Sequence, residues 1–353
     1  MQDRINKVYL ELENNCLDAF ICTHQPNIEY LTGFPHHECY LLFLKKQVFL
    51  FTDSRYMEEA RIFLSGSSVR LRFIKKDLYQ SVCGIISKLN LKRIGFESRV
   101  ISYHDFSSFK KKLGKGKILV PCLNIVENLR MIKNGVEIDK IKTATLMAVG
   151  LFIKAKNIVK PGMTESEVSF VLESLIHSLE CKPSFPIIVA AGVNSCQAHH
   201  IVSKRVIRNS EPVLIDMGFD YFGYKSDLTR TWFLGKITPI FNKVYTVVKE
   251  AQTRAISAIK PGAYIPEIDK IARSFIAKKG FGRYFHHSLG HGIGLEVHEK
   301  PGINSKNEYV LKEGMVFSVE PAVYLPGKFG VRLEDLVVVT KKGCDCLSGS
   351  LNK

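Results

Sequence analysis

The sequence has no apolar run long enough to cross a membrane. A membrane-spanning helix needs about 20 consecutive apolar residues, and the longest apolar stretches, such as 186–193, are much shorter. The N-terminus also lacks the pattern of a secretory signal, because Met1-Gln2-Asp3-Arg4 leads directly into mixed polar sequence. We therefore expect a cytoplasmic protein.

Cysteine pairs at disulfide or metal-binding spacing are missing too. The nine cysteines are scattered, and only Cys344 and Cys346 lie close together, with no second cluster of Cys or His beside them. This pattern disfavours a disulfide scaffold and a thiolate zinc site. Reduced thiols are what a cytosolic protein is expected to carry.

Acidic residues are few relative to basic ones. There are 34 Asp and Glu against 50 Lys and Arg, which gives a net charge of +16. A basic excess can indicate a nucleic-acid partner, but this charge is diffuse. Its tightest cluster is Lys110-Lys111-Lys112 with Lys115 and Lys117, at a predicted helix end where a solvated face is the simpler interpretation. We expect no specific nucleic-acid binding.

What the sequence contains indicates a globular protein of two domains. Its 353 residues exceed one small core, and 46% apolar with 24% charged residues is an ordinary globular composition. Strand and helix patterns alternate up to about residue 123, which is typical of an α/β module. Asp53 is predicted to cap a helix that runs to Phe63. The predicted strands are 19–22, 40–44, 48–51, 69–74, 93–96 and 118–121, and further helices are predicted at 78–89 and 103–113.

After residue 123 long helices precede a strand-rich stretch, and one helical pattern occurs twice. A predicted helix over 137–159 ends at Lys160-Pro161-Gly162, and a second ends at Lys260-Pro261-Gly262. Glu167 and Glu267 follow at the same offset of 100 residues, and Glu167 completes a predicted capping box with Thr164. The shared offset indicates an internally duplicated domain.

Several carboxylates in this second region stand beside apolar residues that should be buried. They are Asp216, Glu320 and Glu334, and Asp227 follows Asp216 as if from the neighbouring arm of a hairpin. A buried carboxylate without a cation or donor is costly, so converging ones require a compensating charge. Four carboxylates with one imidazole suit a pair of divalent cations, and the oxygen-rich set favours manganese or a similar hard-to-borderline ion over a purely thiolate zinc site.

A segment rich in glycine and histidine runs from His287 to Glu299, with the sequence HSLGHGIGLEVHE. Its glycines allow the backbone to approach a site closely, and its histidines can ligate a metal or transfer protons. The segment is therefore the predicted source of the imidazole ligand.

These residues resemble the pita-bread metallopeptidases that act at proline, the aminopeptidase P and prolidase family. The order Asp, Asp, His, Glu, Glu matches, and all thirteen residues from His287 to Glu299 agree with the family's pattern. The resemblance covers essentially the whole chain, including Asn27 to Phe34 (NIEYLTGF) in the N-terminal module.

The resemblance implies an α+β fold. A pita-bread catalytic domain with pseudo-twofold halves would span 124–353, preceded by a smaller ribonuclease-H-like α/β domain over 1–123. It also implies a homodimer that acts on proline-containing peptides with two divalent metal ions, manganese first, with cobalt or zinc as alternatives.

The same resemblance implies the metal ligands. Asp216 would be the bidentate ligand of one metal, Asp227 and Glu334 would bridge both metals, and His291 and Glu320 would hold the second. None of these five positions departs from the family's pattern.

Catalytic and substrate-binding roles are implied as well. Glu320 would take a proton from the attacking water and pass it to the leaving proline nitrogen, and His298 would donate to the oxyanion. His199 and His298 would line the substrate site, and Arg332 would orient a bridging carboxylate.

Three departures from the family's pattern lie near these residues. Ala198 stands where the family usually has proline, and Ala322 stands where it usually has glycine. His200 directly follows His199, which leaves open which of the two histidines faces the substrate.

The predicted activity is release of the N-terminal residue from Xaa-Pro peptides, as in aminopeptidase P, and an Xaa-Pro dipeptidase is the alternative within the family. Methionine aminopeptidases share the five ligands, but the N-terminal module and the setting of Glu334 (VRLED) count against that class. The intact ligand set disfavours two further alternatives, an inactive pita-bread binding module and a creatinase-like hydrolase without metals.

Overall fold

The computed structural model describes residues 1–74 and 77–351. The chain divides into two compact units, one of Met1–Arg130 and the other starting at Met131. The sequence places the domain boundary after residue 123, seven positions before this division. The intervening residues contain a short helix, Glu127–Arg130.

The first unit is built on a mixed six-stranded sheet, in the order β4-β3-β2-β1-β5-β6 within the described residues. Strands β1, β2 and β3 pair antiparallel, and the outer pairs are parallel. Its elements are α1 (Gln2–Asn14), β1 (Ala19–Cys22), α2 (Gln25–Thr32), β2 (Cys39–Leu44), β3 (Gln47–Thr52), α3 (Met57–Phe63), β4 (Val69–Phe73), α4 (Leu78–Ile86), β5 (Arg93–Glu97), α5 (Tyr103–Leu113), β6 (Ile118–Cys122) and α6 (Glu127–Arg130).

These bounds confirm the α/β interpretation of the N-terminal module, with one error. The predicted cap at Asp53 is wrong, because helix α3 begins four residues later, at Met57. Asp53 instead accepts the backbone N–H of Arg55 at 2.9 Å and its guanidinium at 2.6 Å. An aspartate that bonds the backbone two residues on favours a tight turn over a helix start.

The second unit contains long helices and short strands. Its elements are α7 (Gly135–Ile158), α8 (Glu165–His177), β7 (Lys182–Pro183), β8 (Ile188–Ala191), β9 (Pro212–Met217), β10 (Phe219–Tyr221), β11 (Tyr224–Lys225), β12 (Leu228–Phe233), α9 (Pro239–Ser257), α10 (Ile265–Lys278), β13 (Gly290–Gly292), β14 (Glu299–Ile303), β15 (Val316–Val319), β16 (Ala322–Leu325), β17 (Phe329–Arg332), β18 (Asp335–Val339) and β19 (Cys344–Cys346), with 3₁₀ turns at Gly192–Cys196 and Gly282–Tyr284.

The two Lys-Pro-Gly turns of the predicted repeat are built alike. Gly162 and Gly262 both adopt the left-handed conformation, with φ of 98° and 81°. The amide of Gly162 donates to the Ile207 carbonyl at 2.9 Å, and that of Gly262 donates to the Leu311 carbonyl at 2.8 Å. The equivalent β-bridges are Thr164–Val206 and Tyr264–Val310. Repeated contacts at matching positions indicate two related halves.

Two sheets of this unit carry the residues of interest, β12-β9-β8 and β14-β13-β15-β18-β19. Helices α9 and α10 share one buried apolar cluster with the second sheet, to which Val248, Ile268, Phe317 and Val337 belong. Fully burying a side chain of this size contributes about 1.5–3 kcal/mol, so the cluster holds the strand ends in fixed positions. No helix among the described residues is long and apolar enough to cross a bilayer.

Candidate metal centre

The five predicted metal ligands meet at the ends of short strands. Asp216 lies in β9, His291 in β13, Asp227 just before β12, Glu320 just after β15 and Glu334 just before β18. Their ligand atoms form groups whose members all lie within 4.8 Å of one another. The groups are Asp216 with Asp227 and Glu334, His291 with Glu320 and Glu334, and Asp227 with His291 and His298.

Backbone pairing explains why these strand ends meet. Strands β9 and β12 are antiparallel neighbours, with Asp216 opposite Thr229, so Asp227 lies beside the same strand end. The amide of Glu320 donates to the Leu289 carbonyl at 2.8 Å, which ties the end of β15 to the segment that leads into His291.

The glycines on either side of His291 are required by this close packing. A Cβ added at Gly290 would collide with the Ser318 carbonyl, and one at Gly292 would collide with the Lys300 carbonyl. Only glycine allows backbones to approach so closely. The glycines of the HSLGHGIGLEVHE segment therefore place His291 between two strands.

Four carboxylates cluster here, and the guanidinium of Arg332 pairs with one of them, Asp216. Burial and repulsion by Glu334, Asp216 and Glu320 raise the pKa of Asp227 well above its ordinary value. Burial, opposed by Arg332 and helped by Asp216, raises the pKa of Glu320 to about 8. One oxygen each of Asp216, Asp227 and Glu334 is buried without a hydrogen-bond partner. Divalent cations would satisfy these oxygens and allow the carboxylates to ionise together.

His291 is oriented as a metal ligand would be. Its Nε2 lies 3.5 Å from Asp227 Oδ2 and 3.3 Å from Glu320 Oε1, and its Nδ1 lies 3.2 Å from the Gly292 carbonyl. Burial, with a contribution from His298, lowers the pKa of His291 to about 3, so the ring is neutral. A neutral ring that donates from Nδ1 presents the Nε2 lone pair to carboxylate oxygens, an arrangement that a cation between them would make favourable.

A buried hydrogen-bond network supports the carboxylates. Arg332 Nη2 donates to Asp216 Oδ2 at 2.5 Å, its Nη1 to the Tyr324 hydroxyl at 2.7 Å and its Nε to Thr229 Oγ1 at 3.0 Å. Thr229 Oγ1 in turn donates to Glu334 Oε2 at 2.7 Å. Arg332 therefore contacts Asp216 directly, and it reaches Glu334, which the resemblance assigns as bridging, only through Thr229.

The structure distinguishes His199 from His200, for which the sequence left open which one faces the substrate. His200 is buried, and its Nε2 lies 2.8 Å from a carboxylate oxygen of the buried Glu165. His199 is exposed. The ring of His298 packs edge-on against that of His291, with centroids 4.1 Å apart. Burial first, and His199 second, lower the pKa of His298, which places His199 and His298 near each other.

Two supporting residues were not found from the sequence. Thr229 and Tyr324 lie in ordinary strand patterns, and no motif distinguishes them. Tyr324 also lies 3.2 Å from Nε2 of His287, a residue of the HSLGHGIGLEVHE segment for which the sequence suggested no individual role. Their roles depend on contacts between distant strands, which a local pattern cannot reveal.

The centre lies at one side of a cavity of about 660 Å³ within the second unit. His199 and His298 line it together with apolar side chains such as Phe185, Ile188 and Val297. Arg332 is the one Lys or Arg among the described residues that line the cavity, and its guanidinium is already paired with Asp216. The lining side chains are thus apolar apart from the carboxylates, the histidines, Ser288 and Arg332.

Comparison with known proteins adds an independent finding. Residues 139–341 match metallopeptidase family M24, and residues 4–132 match the creatinase/prolidase N-terminal domain. The chain is 34% identical over 347 residues to an Xaa-Pro dipeptidase of Pyrococcus horikoshii, covering 97% of this chain and 96% of that protein.

Solved structures agree over nearly the whole chain. An Xaa-Pro dipeptidase from Bacillus anthracis superposes with a TM-score of 0.95 at 33% identity, covering 100% of this chain and 98% of the other. An X-Pro aminopeptidase from Thermotoga maritima superposes with a TM-score of 0.85 at 34% identity, covering 94% and 95%. This agreement confirms the predicted α+β fold class with its two-domain architecture.

Proposed function

Because the chain belongs to metallopeptidase family M24, we propose that it hydrolyses the peptide bond before proline and releases the N-terminal residue of Xaa-Pro peptides. The observation that carries the proposal is the convergence of four carboxylates and one neutral histidine beside a largely apolar cavity. The names of the Pyrococcus, Bacillus and Thermotoga relatives support proline at the second position.

We assign two divalent metal ions to Asp216, Asp227, His291, Glu320 and Glu334. The three buried oxygens without partners support this assignment. A set dominated by carboxylate oxygens favours manganese, with cobalt or zinc as alternatives. Such ions supply the Lewis acidity that makes water nucleophilic near neutral pH and polarises a carbonyl.

The residues around these ligands would handle protons and charge. Glu320, a carboxylate whose basicity burial increases, accepts the proton of the attacking water and delivers it to the proline nitrogen. That nitrogen carries no hydrogen in the substrate, so it must receive a proton to leave. His298, which is exposed and packs against His291, donates to the oxyanion, and His199 lines the same cavity.

Among the described residues that line the cavity, Arg332 is the one Lys or Arg, and this supports peptides that continue beyond proline. A dipeptide would place its terminal carboxylate beside the proline site, and a buried carboxylate requires a cation or several donors. Arg332 is already paired with Asp216, so it does not offer a free charge. The alternative, an Xaa-Pro dipeptidase, is favoured by the names of the Pyrococcus and Bacillus anthracis relatives. Hydrolysis of Ala-Pro faster than that of Ala-Pro-Ala would decide for the dipeptidase.

The experiment that tests the proposal compares three tripeptides with manganese present. Ala-Pro-Ala should be hydrolysed faster than Ala-Ala-Ala and Met-Ala-Ala. A pocket distinguishes shapes by about 1–3 kcal/mol per misplaced group, so the other peptides should be cleaved slowly. Faster hydrolysis of Met-Ala-Ala would identify a methionine aminopeptidase, and no hydrolysis of any peptide would identify an inactive binding module.

The family resemblance further supports a cytoplasmic homodimer. Light scattering on the purified protein would test the dimer, because a mass of one chain contradicts it.

A further inference from the structure

Gln252 is a buried polar residue on helix α9 that contacts the backbone next to two of the proposed metal ligands. Its side chain is fully buried, in an apolar cluster that includes Val248, Val319 and Leu333. Its amide nitrogen donates to two backbone carbonyls, that of Val319 at 2.8 Å and that of Leu333 at 3.0 Å. Both hydrogens of the side-chain amide are therefore used on backbone groups.

Each of these carbonyls belongs to the peptide unit directly before a proposed ligand. Val319 precedes Glu320, and Leu333 precedes Glu334. On the opposite side of the same peptide planes, the amide of Glu320 donates to the Leu289 carbonyl at 2.8 Å and the amide of Glu334 donates to the Thr229 carbonyl at 3.1 Å. A peptide unit is rigid and planar, so bonds at both of its edges fix its orientation.

Gln252 is the side chain that the two planes share. The carboxylates of Glu320 and Glu334 extend from strand ends that are fourteen residues apart in the chain, and His291 lies in one ligand group with both of them. Because one amide binds both peptide planes, it fixes the spacing between the backbone positions from which the side chains of Glu320 and Glu334 extend.

Ordinary core packing does not explain a glutamine at this position. Its oxygen Oε1 is buried without a hydrogen-bond partner, and an unpaired buried oxygen is unfavourable. A methionine of similar shape would fill the same apolar space without that penalty. A glutamine at this position is explained if its two N–H donors are needed to hold the Val319 and Leu333 carbonyls.

We propose that Gln252 is a positioning residue for the metal centre, acting through the backbone on Glu320 and Glu334. This proposal rests on the proposed metal assignment. An uncharged amide suits the role, because it offers two donors in one plane without adding a charge beside the carboxylates.

The test compares manganese binding with stability in three proteins stripped of metal by chelation: the wild type, Gln252→Met and Val248→Ala. Val248 is equally buried on the same helix, so its truncation is a matched control for loss of core stability. Manganese affinity is measured by titration calorimetry, and thermal unfolding of the metal-free proteins is measured separately. Loss of a group that orients metal ligands typically weakens binding about 10–100-fold, and we expect this of Gln252→Met. Val248→Ala should lower the melting temperature and leave the affinity unchanged.

The outcomes separate the two proposals. A wild type that binds no manganese contradicts the proposed function itself. A wild type that binds manganese while Gln252→Met binds it equally well overturns the positioning role. Equal losses of affinity in Gln252→Met and Val248→Ala overturn it too, because general destabilisation would then explain both. Should Gln252→Met not fold, Gln252→Asn takes its place. Its amide is one methylene too short for the two carbonyls, so the same loss of manganese affinity relative to the wild type and Val248→Ala is expected.

Discussion

Thr229 allows a direct test of how the metal centre is supported, because its hydroxyl joins the guanidinium of Arg332 to the carboxylate of Glu334. Thr229 is fully buried, accepts from Arg332 Nε at 3.0 Å and donates to Glu334 Oε2 at 2.7 Å. Thr229→Val keeps the branched shape that a strand position favours and removes only the hydroxyl. Thr229→Ser removes a methyl group and keeps the hydroxyl, which makes it the matched control.

The expected cost follows from the two bonds that are lost. A buried group left without its partner costs about 1–3 kcal/mol, and the substitution leaves two such groups. Arg332 retains its bonds to Asp216 and Tyr324, which moderates the loss on its side. We therefore expect Thr229→Val to lower the free energy of unfolding of the metal-free protein by about 2–4 kcal/mol. Manganese affinity should fall about 10–100-fold, as for other outer-shell partners.

Urea denaturation followed by circular dichroism measures the first quantity, and calorimetric titration with manganese measures the second. Thr229→Ser should remain close to the wild type in metal affinity. Equal manganese affinities for Thr229→Val and Thr229→Ser would refute the reasoning, since the hydroxyl relay would then contribute nothing to ligand orientation.

Four further predictions concern charge and chemistry. Asp227→Asn should lose bound metal and nearly all activity, measured by metal analysis and peptide assay. His298→Ala should cut turnover about 10²–10³-fold with metal content unchanged, and loss of metal would make it a ligand instead. Burial raises the pKa of Glu320 from 4.5 to about 8, so this group's contribution to stability is complete below pH 4.5 and is lost as the pH rises to 8. About one pH unit above 6.5, the ordinary pKa of histidine, the buried His287 and His291 are almost entirely neutral in both states. The melting temperature of the metal-free protein should therefore fall from about pH 7.5 to 8, and manganese should reverse the fall. Any nucleic-acid binding at low salt should disappear near physiological ionic strength in a filter-binding assay.

Local patterns predicted many of the helices and strands and pointed to the four carboxylates, whereas the family resemblance implied the fold class and the choice of His291. Strand 19–22 and helix 103–113 were predicted with the bounds that the structure has, because burial and capping patterns are read within one element. Asp53 was misread because an aspartate serves a turn and a helix cap equally well by sequence. The carboxylates could be predicted since ionisable groups inside apolar strands are costly without a purpose.

The supporting contacts could not be predicted, because they join residues far apart in the chain. The bond from Arg332 to Asp216 crosses 116 positions, and that from Thr229 to Glu334 crosses 105. Neither threonine nor glutamine is unusual where Thr229 and Gln252 occur. Their roles follow from which strand ends are neighbours, a property of the folded sheets. For the same reason His199 and His200 could be distinguished only when the bond to Glu165 was visible.

The repeated Lys-Pro-Gly turns have a consequence for how the second unit holds together. Asp216 and Asp227 belong to the half that contains the first turn, whereas His291, Glu320 and Glu334 belong to the half that contains the second. Neither half alone carries a full set of ligands, so ions that bind all five would act as a crosslink between the two halves. Metal binding would then strengthen their association by mass action. A chain cut in the loop between β12 and α9 should reassemble from its fragments more tightly with manganese than without it.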